Sequence, residues 1–293
     1  MSAPRLMTAM ITPYYDNLEV NFDKAAQIAE HLCNNGTEGI VVSGTTGESP
    51  VLTPGEKLLL FSAVKDQVDK RIPVWAGTGS NDTRQSIELS GGAEKLGADG
   101  IMLVTPYYNK PSQEGLYQHF KQIAESVTIP VMLYNVPSRT SANLLPATVA
   151  RLAEIDNIVA IKEASGNMDQ VSELKNLIAD KIMIYSGDDS MTLPMMALGA
   201  RGVISIASHI IGTEIKNMIE AFAAGDAKTA LDLHLKLFPI FRGLFVTTNP
   251  VPLKEALNFL GMEVGNFRPP LCSANESEKA FIKELLINNN LLK

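Results

Sequence analysis

One lysine interrupts an otherwise apolar run, Ile158-Val159-Ala160-Ile161-Lys162-Glu163-Ala164-Ser165. Four apolar residues lead straight into Lys162, the pattern of a strand buried on both faces in a parallel sheet. Burying an ammonium costs several kcal/mol unless it is paired or gives up its proton. An ordinary lysine, with a pKa of about 10.4, is neutral at pH 7 in only about one molecule in 2,500. Burial can lower that pKa by about 3–5 units and release an amine that attacks ketones and aldehydes to give a Schiff base. A strand-end lysine that reaches water is the plain alternative, and the stretch alone does not separate the two.

Groups suited to the same chemistry stand in short motifs elsewhere. They include Gly44-Thr45-Thr46-Gly47-Glu48, Thr105-Pro106-Tyr107-Tyr108-Asn109, the run from Tyr134 to Thr140, and Gly187-Asp188-Asp189. Schiff-base chemistry needs several proton transfers, and the phenol of Tyr134 can both donate and accept. Thr45 and Thr46 lie between glycines that permit a tight turn, so their hydroxyls and amides suit a carboxylate or a relayed proton. Arg139 follows Pro137 in a loop, and its planar fork matches a carboxylate bidentately. Each has a bland reading as well: a core-capping tyrosine, a plain turn, a surface arginine.

Other chemistries are poorly served. There is no H-E-x-x-H, and His31, His119, His209 and His234 show no ligand spacing. No phosphate-loop G-x-x-x-x-G-K-[ST] and no G-x-S-x-G elbow occurs. Gly77-Thr78-Gly79 has Asp82 where a dinucleotide fingerprint needs its third glycine. No metal and no organic cofactor is expected.

What must position these groups is an alternation of short apolar runs and longer amphipathic segments. The runs are Leu6–Ile11, Gly39–Ser43, Ile72–Ala76, Gly100–Val104, Ile129–Tyr134, Ile158–Ile161, Ile182–Tyr185 and Gly202–Ala207. Between them, Asp23–Asn34 and Ser112–Ser126 carry helical period, and Thr53-Pro54 and Ser112 suit helix starts. A faint repeat, Gly-x-x-Gly-Ile/Val at 36–40, 97–101 and 199–203, marks helix end and strand start. Eight strand–helix units predict an α/β fold, a (β/α)8 TIM barrel of parallel strands over residues 1–224. After Gly225 the alternation stops, and residues 225–293 read as a C-terminal all-helical appendage: Asp226–Leu244, Pro252–Leu260 and Glu276–Asn288. In such a barrel the site lies at the carboxyl ends of the strands, where every motif above falls.

Composition fits that reading. The 293 residues are 45% hydrophobic and 19% charged, enough for a large core. A net charge of −7 argues against nucleic acid or an anionic membrane as partner. Cys33 and Cys272 are too few for a disulfide framework. The amino terminus has no leader-like apolar core, and no run of about 18 apolar residues exists, so a cytoplasmic chain is expected.

The motifs Gly44–Glu48 (GTTGE), Thr105–Pro111 (TPYYNKP), Tyr134–Thr140 (YNVPSRT) and Ile161–Gly166 (IKEASG) carry a resemblance over essentially the whole chain. It resembles the dihydrodipicolinate synthases, within the pyruvate-dependent class I aldolase family that includes N-acetylneuraminate lyase. The resemblance implies a lyase of the diaminopimelate route of lysine biosynthesis. Lys162 would form an imine and then an enamine with pyruvate, and the enamine would attack L-aspartate 4-semialdehyde. Thr45, Tyr134 and Tyr108 would match a proton-relay triad. Tyr107 would cross into a partner subunit at a tight dimer interface. Arg139 would bind the semialdehyde carboxylate, and Thr46, Gly187 and Ile204 would line the pyruvate pocket. The helical tail would help join two dimers into a homotetramer, with a dimer as the alternative.

The sugar-acid lyases and 2-keto-3-deoxy sugar acid aldolases of the same family usually carry G-S-T-G-E and lack a Ser-Arg-Thr turn, so Thr45, Ser138 and Arg139 point away from them. A non-catalytic metabolite-binding barrel would have lost the lysine or the triad. Lysine-inhibited members bind lysine near positions matching Ser49, Asn81 and Tyr107. Here the neighbours are Pro54, Lys57 and Gln85, and a cationic Lys57 would repel the ligand, so weak or absent feedback inhibition is expected.

Overall fold

The computed structural model describes residues 3–292. Among them, eight parallel strands close into a barrel in chain order. They are β1 (Leu6–Ala9), β2 (Gly39–Val42), β3 (Val74–Gly77), β4 (Gly100–Val104), β5 (Val131–Asn135), β6 (Ile158–Glu163), β7 (Met183–Ser186) and β8 (Gly202–Ser205). Nearly every strand residue is buried, as the near-continuous apolar runs require. The helices are α1 (Phe22–Asn34), α2 (Pro54–Val68), α3 (Thr83–Lys95), α4 (Gln113–Glu125), α5 (Pro137–Thr140), α6 (Pro146–Leu152), α7 (Met168–Ile178), α8 (Thr192–Ala197), α9 (Ser208–Ala223), α10 (Ala227–Gly243), α11 (Val251–Phe259) and α12 (Glu276–Asn288).

Helix starts follow local chemistry. The Asn21 side chain accepts from the Lys24 amide to begin α1, and Ser112 does the same from Gly115 for α4. Thr53 and Glu56 form a reciprocal capping box before α2, with Pro54 in its first turn. Strand bounds depart from the apolar runs at two instructive places. β3 starts at Val74 and not Ile72, because Pro73 has no amide to donate to a ladder. β6 continues two residues past Ile161, because the ladder carries on through polar side chains. Lys162 is in register with Tyr134 and Tyr185, and Glu163 with Asn135 and Ser186.

The chain divides into two compact units. The first takes Pro73–Ile204 together with the segment up to Arg5, and so holds β3–β7 and α3–α8. The second takes Leu6–Ile72 and the chain from Ser205 onward, and so holds β1, β2, α1, α2 and α9–α12. The three helices after Gly225 therefore cluster with the first quarter of the barrel. Arg268 ties them to α2 by a forked pair of bonds to Glu56, at 2.6 and 3.0 Å. No helix of the described residues is long and apolar enough to cross a membrane.

Candidate active site

Within the first unit, ladder register sets the central contact. Tyr134 and Lys162 are opposite residues on neighbouring parallel strands, so their side chains leave on the same face. The Lys162 Nζ lies 4.4 Å from the centroid of the Tyr134 ring. Both residues are 5% exposed. No carboxylate pairs with Lys162 among the described residues, which leaves the nitrogen for a reacting partner. Tyr134 is fixed from behind, where its carbonyl accepts from the Thr105 amide at 2.9 Å and the Thr105 hydroxyl at 3.0 Å. Gly187 lies directly against the lysine stem. A Cβ there would sit 2.6 Å from Ala164 Cβ and 3.2 Å from Lys162 Cε, so a larger residue would push into the lysine. Ile204 is buried at the end of β8.

One residue beyond this pair, the ladder turns from chemistry to support. Asn135 Nδ2 donates to Glu163 Oε2 at 3.0 Å and to Asn143 Oδ1 at 2.8 Å. Gln170 on α7 donates to the same two oxygens and accepts from Asn143 Nδ2 at 2.8 Å. The Asn135 Oδ1 accepts from the Leu144 amide at 2.9 Å. This closed network fastens the segment that follows β5, which includes α5 and Arg139. Arg139 itself is exposed.

Tyr107 is half-buried, and burial raises the pKa of its phenol. Tyr108 is 91% exposed and its backbone lies in the left-handed region, φ 72°. A non-glycine residue held there carries strain that is common at functional sites. The tyrosine is thus presented outward and not buried beside Lys162.

Within the second unit, the turn after β2 is held from several sides. Thr46 is buried, and its hydroxyl accepts from Asn249 Nδ2 at 3.0 Å. The Thr12 hydroxyl donates to the Gly47 carbonyl at 2.7 Å. Glu48 adopts φ 54° and forms a fully buried ion pair with Lys254 at 3.0 Å. Thr45 keeps a partly exposed side chain at the centre of this turn.

The sequence singles out Lys162, Tyr134 and Gly187, and the structure brings these three together. It misses Asn249 and Lys254, which lie in the helical tail where nothing in the pattern marks a polar group as buried. Their signal is faint: an Asn-Pro step entering a short helix whose residues from Val251 to Leu257 are all buried. Among the described residues, no group of three or more His, Cys, Asp or Glu side chains is placed to hold a metal.

Comparison with known proteins extends this picture. Residues 2–288 match the model of the dihydrodipicolinate synthetase family. A 4-hydroxy-tetrahydrodipicolinate synthase from Desulforudis audaxviator is 57% identical over 288 residues, 98% of both chains. Among solved structures, a dihydrodipicolinate synthase from Bacillus anthracis is 50% identical, with a TM-score of 0.95 over 97% of each chain. The enzyme from Cyanidioschyzon merolae with lysine bound is 44% identical, with a TM-score of 0.97 over 98% of each chain.

Proposed function

We propose a mechanism from one premise: this chain belongs to the dihydrodipicolinate synthetase family. It is a lyase with 4-hydroxy-tetrahydrodipicolinate synthase activity, joining pyruvate to L-aspartate 4-semialdehyde in lysine biosynthesis. The observation that carries the mechanism is a buried Lys162 set against the ring of Tyr134.

The Lys162 amine adds to the keto carbon of pyruvate, and water leaves to give an imine. Loss of a methyl proton gives the enamine. Its carbon attacks the aldehyde carbon of the semialdehyde, whose oxygen takes a proton and becomes the hydroxyl. The substrate's own amino group then attacks the imine carbon, the bond to Lys162 breaks, and the ring closes with the lysine restored. Tyr134 moves protons at the carbinolamine, with Thr45 and Tyr108 completing the relay. Tyr108 is so exposed on its own chain that a second copy is the natural place for its hydroxyl to act, with Tyr107 at the same contact. Thr46, Gly187 and Ile204 receive pyruvate, and Arg139 receives the semialdehyde carboxylate. The helices in residues 225–293 join two dimers into a homotetramer, and the chain works in the cytoplasm.

The test is to trap the imine. Incubation with pyruvate and borohydride should give a reduced adduct on Lys162, mapped by peptide mass spectrometry. An adduct on another lysine would refute the assignment of Lys162, and no adduct anywhere would refute the imine mechanism.

A further inference from the structure

The turn at 44–48 bears both threonines proposed to act on pyruvate, and beyond its own backbone bonds, Gly47 amide to Gly44 carbonyl at 3.1 Å and Glu48 amide to Thr45 carbonyl at 3.0 Å, it is fastened from outside. Three of its five residues are held by side chains from distant segments. Asn249 holds the Thr46 hydroxyl, and Thr12 holds the Gly47 carbonyl. Lys254, on α11, holds Glu48. A Cβ on Gly47 would meet the Met10 carbonyl and Ser43 Cα at 3.1 Å, so the turn is also pressed close against the residues that follow β1 and β2.

Lys254 is unusual for a lysine in being wholly buried. Its Nζ donates to Glu48 Oε1 at 3.0 Å, to the Thr12 carbonyl at 3.1 Å and to the Asn266 carbonyl. All three protons of the ammonium are therefore matched. The rings of Tyr14 and Phe267 lie 4.5 and 4.9 Å from the same nitrogen. The second oxygen of Glu48 accepts from the Arg268 amide at 3.1 Å. One ammonium thus grips both Thr12 and Glu48, the two residues on either side of the turn's hold. A buried ion pair is a poor source of stability by itself, and its best-attested use is to specify one arrangement. Glu48 is kept in a left-handed conformation that persists only when its surroundings over-determine it.

We infer that Lys254 is a positioning residue for pyruvate, holding the turn at Thr45–Glu48 through Glu48 and Thr12, with Asn249 as the second fastening. Its nitrogen is taken up by Thr12, Glu48, Asn266 and the two rings, so it acts through the turn. The inference rests on the proposed roles of Thr46 in receiving pyruvate and of Thr45 in the proton relay.

Three variants test it: Lys254→Met, the charge-conserving Lys254→Arg, and Asn249→Ala, which leaves the ion pair intact. Pyruvate trapping by borohydride and steady-state kinetics are read on each, with circular dichroism as the check of fold. Lys254→Met should raise the half-saturating pyruvate concentration about tenfold or more, with the semialdehyde KM held within about twofold. Lys254→Arg should recover part of that loss. A merely structural lysine would lower the maximal rate through the active fraction and leave both KM values in place, and that result overturns the inference. If Lys254→Met does not fold, Asn249→Ala decides: a raised pyruvate half-saturation supports the clamp, and an unchanged one overturns it. Absence of trapping in the unaltered protein would instead sink the imine mechanism, a failure distinct from normal trapping with indifferent variants.

Discussion

Lys162 and Tyr134 owe their contact to ladder register, whereas Arg139 owes its place to no strand at all. It is exposed on the segment after β5, and it is the cation on that segment suited to a second carboxylate. The two substrates should therefore separate cleanly by mutation. Arg139→Ala should leave the pyruvate imine on Lys162 trappable at the normal rate, because the lysine, its tyrosine and Gly187 are untouched. Loss of a bidentate charged contact should lower kcat/KM for the semialdehyde by about a hundredfold, in line with about 1.5–3 kcal/mol for a hydrogen bond to a charged group. Steady-state kinetics beside trapping measures both. Comparable use of the semialdehyde by the variant would remove Arg139 from the site.

At the scale of elements, most of the barrel is legible in the sequence because parallel strands are apolar on both faces. Runs bounded by glycine, proline or capping residues stand out as strands and helix starts. The pattern fails where the ladder outlasts the apolar run, as in β6, where Lys162 and Glu163 keep strand geometry. It fails again for Lys254. A lysine within Val-Pro-Leu-Lys-Glu-Ala reads as the wet face of a helix, and its carboxylate partner is 206 residues away. Long-range polar pairing leaves no local periodicity to detect. Helix α2 carries a consequence of its own. Burial lowers the pKa of Lys57 to about 8, so the side chain remains mostly cationic at pH 7. The family resemblance puts Lys57 beside the place where inhibited members would hold lysine, and a positive group there would oppose a cationic ligand. L-Lysine should inhibit the unaltered protein weakly or not at all at pH 7, and the Lys57→Ala variant should be inhibited more readily. Dose–response curves on both proteins check this, and strong inhibition of the unaltered chain at low lysine would contradict it.

For the molecule as a whole, acid is the condition against which its buried network is least protected. His209 is fully buried at the head of α9. Its Nε2 accepts from the Ile11 amide at 3.2 Å, and its Nδ1 faces the Ile206 carbonyl at 2.8 Å. That pairing demands a neutral ring with the proton on Nδ1, since a second proton would confront the Ile11 N–H. A titratable side chain bonded nearby is that of His31 on α1, whose Nε2 lies 2.8 Å from the His209 carbonyl oxygen. Burial pushes the pKa of His209 down to about 4, and that of His119 likewise to about 4. The unfolded chain binds these protons near pH 6.5, so both contributions are present above pH 6.5 and are lost as the pH falls toward 4. A second window lies lower. The Arg268 guanidinium holds Glu56 at about 2, against 4.5 ordinarily, so that contribution fades between about pH 4.5 and 2. Thermal stability should therefore fall already between pH 6.5 and 5, before most carboxylates titrate. His209→Gln should start less stable at pH 7 yet lose less between pH 7 and 5, because glutamine offers nothing to protonate there. A Tm that stays flat from pH 7 to 5 in the unaltered protein, or an equal slope in the variant, would show that His209 does not set the acid limit.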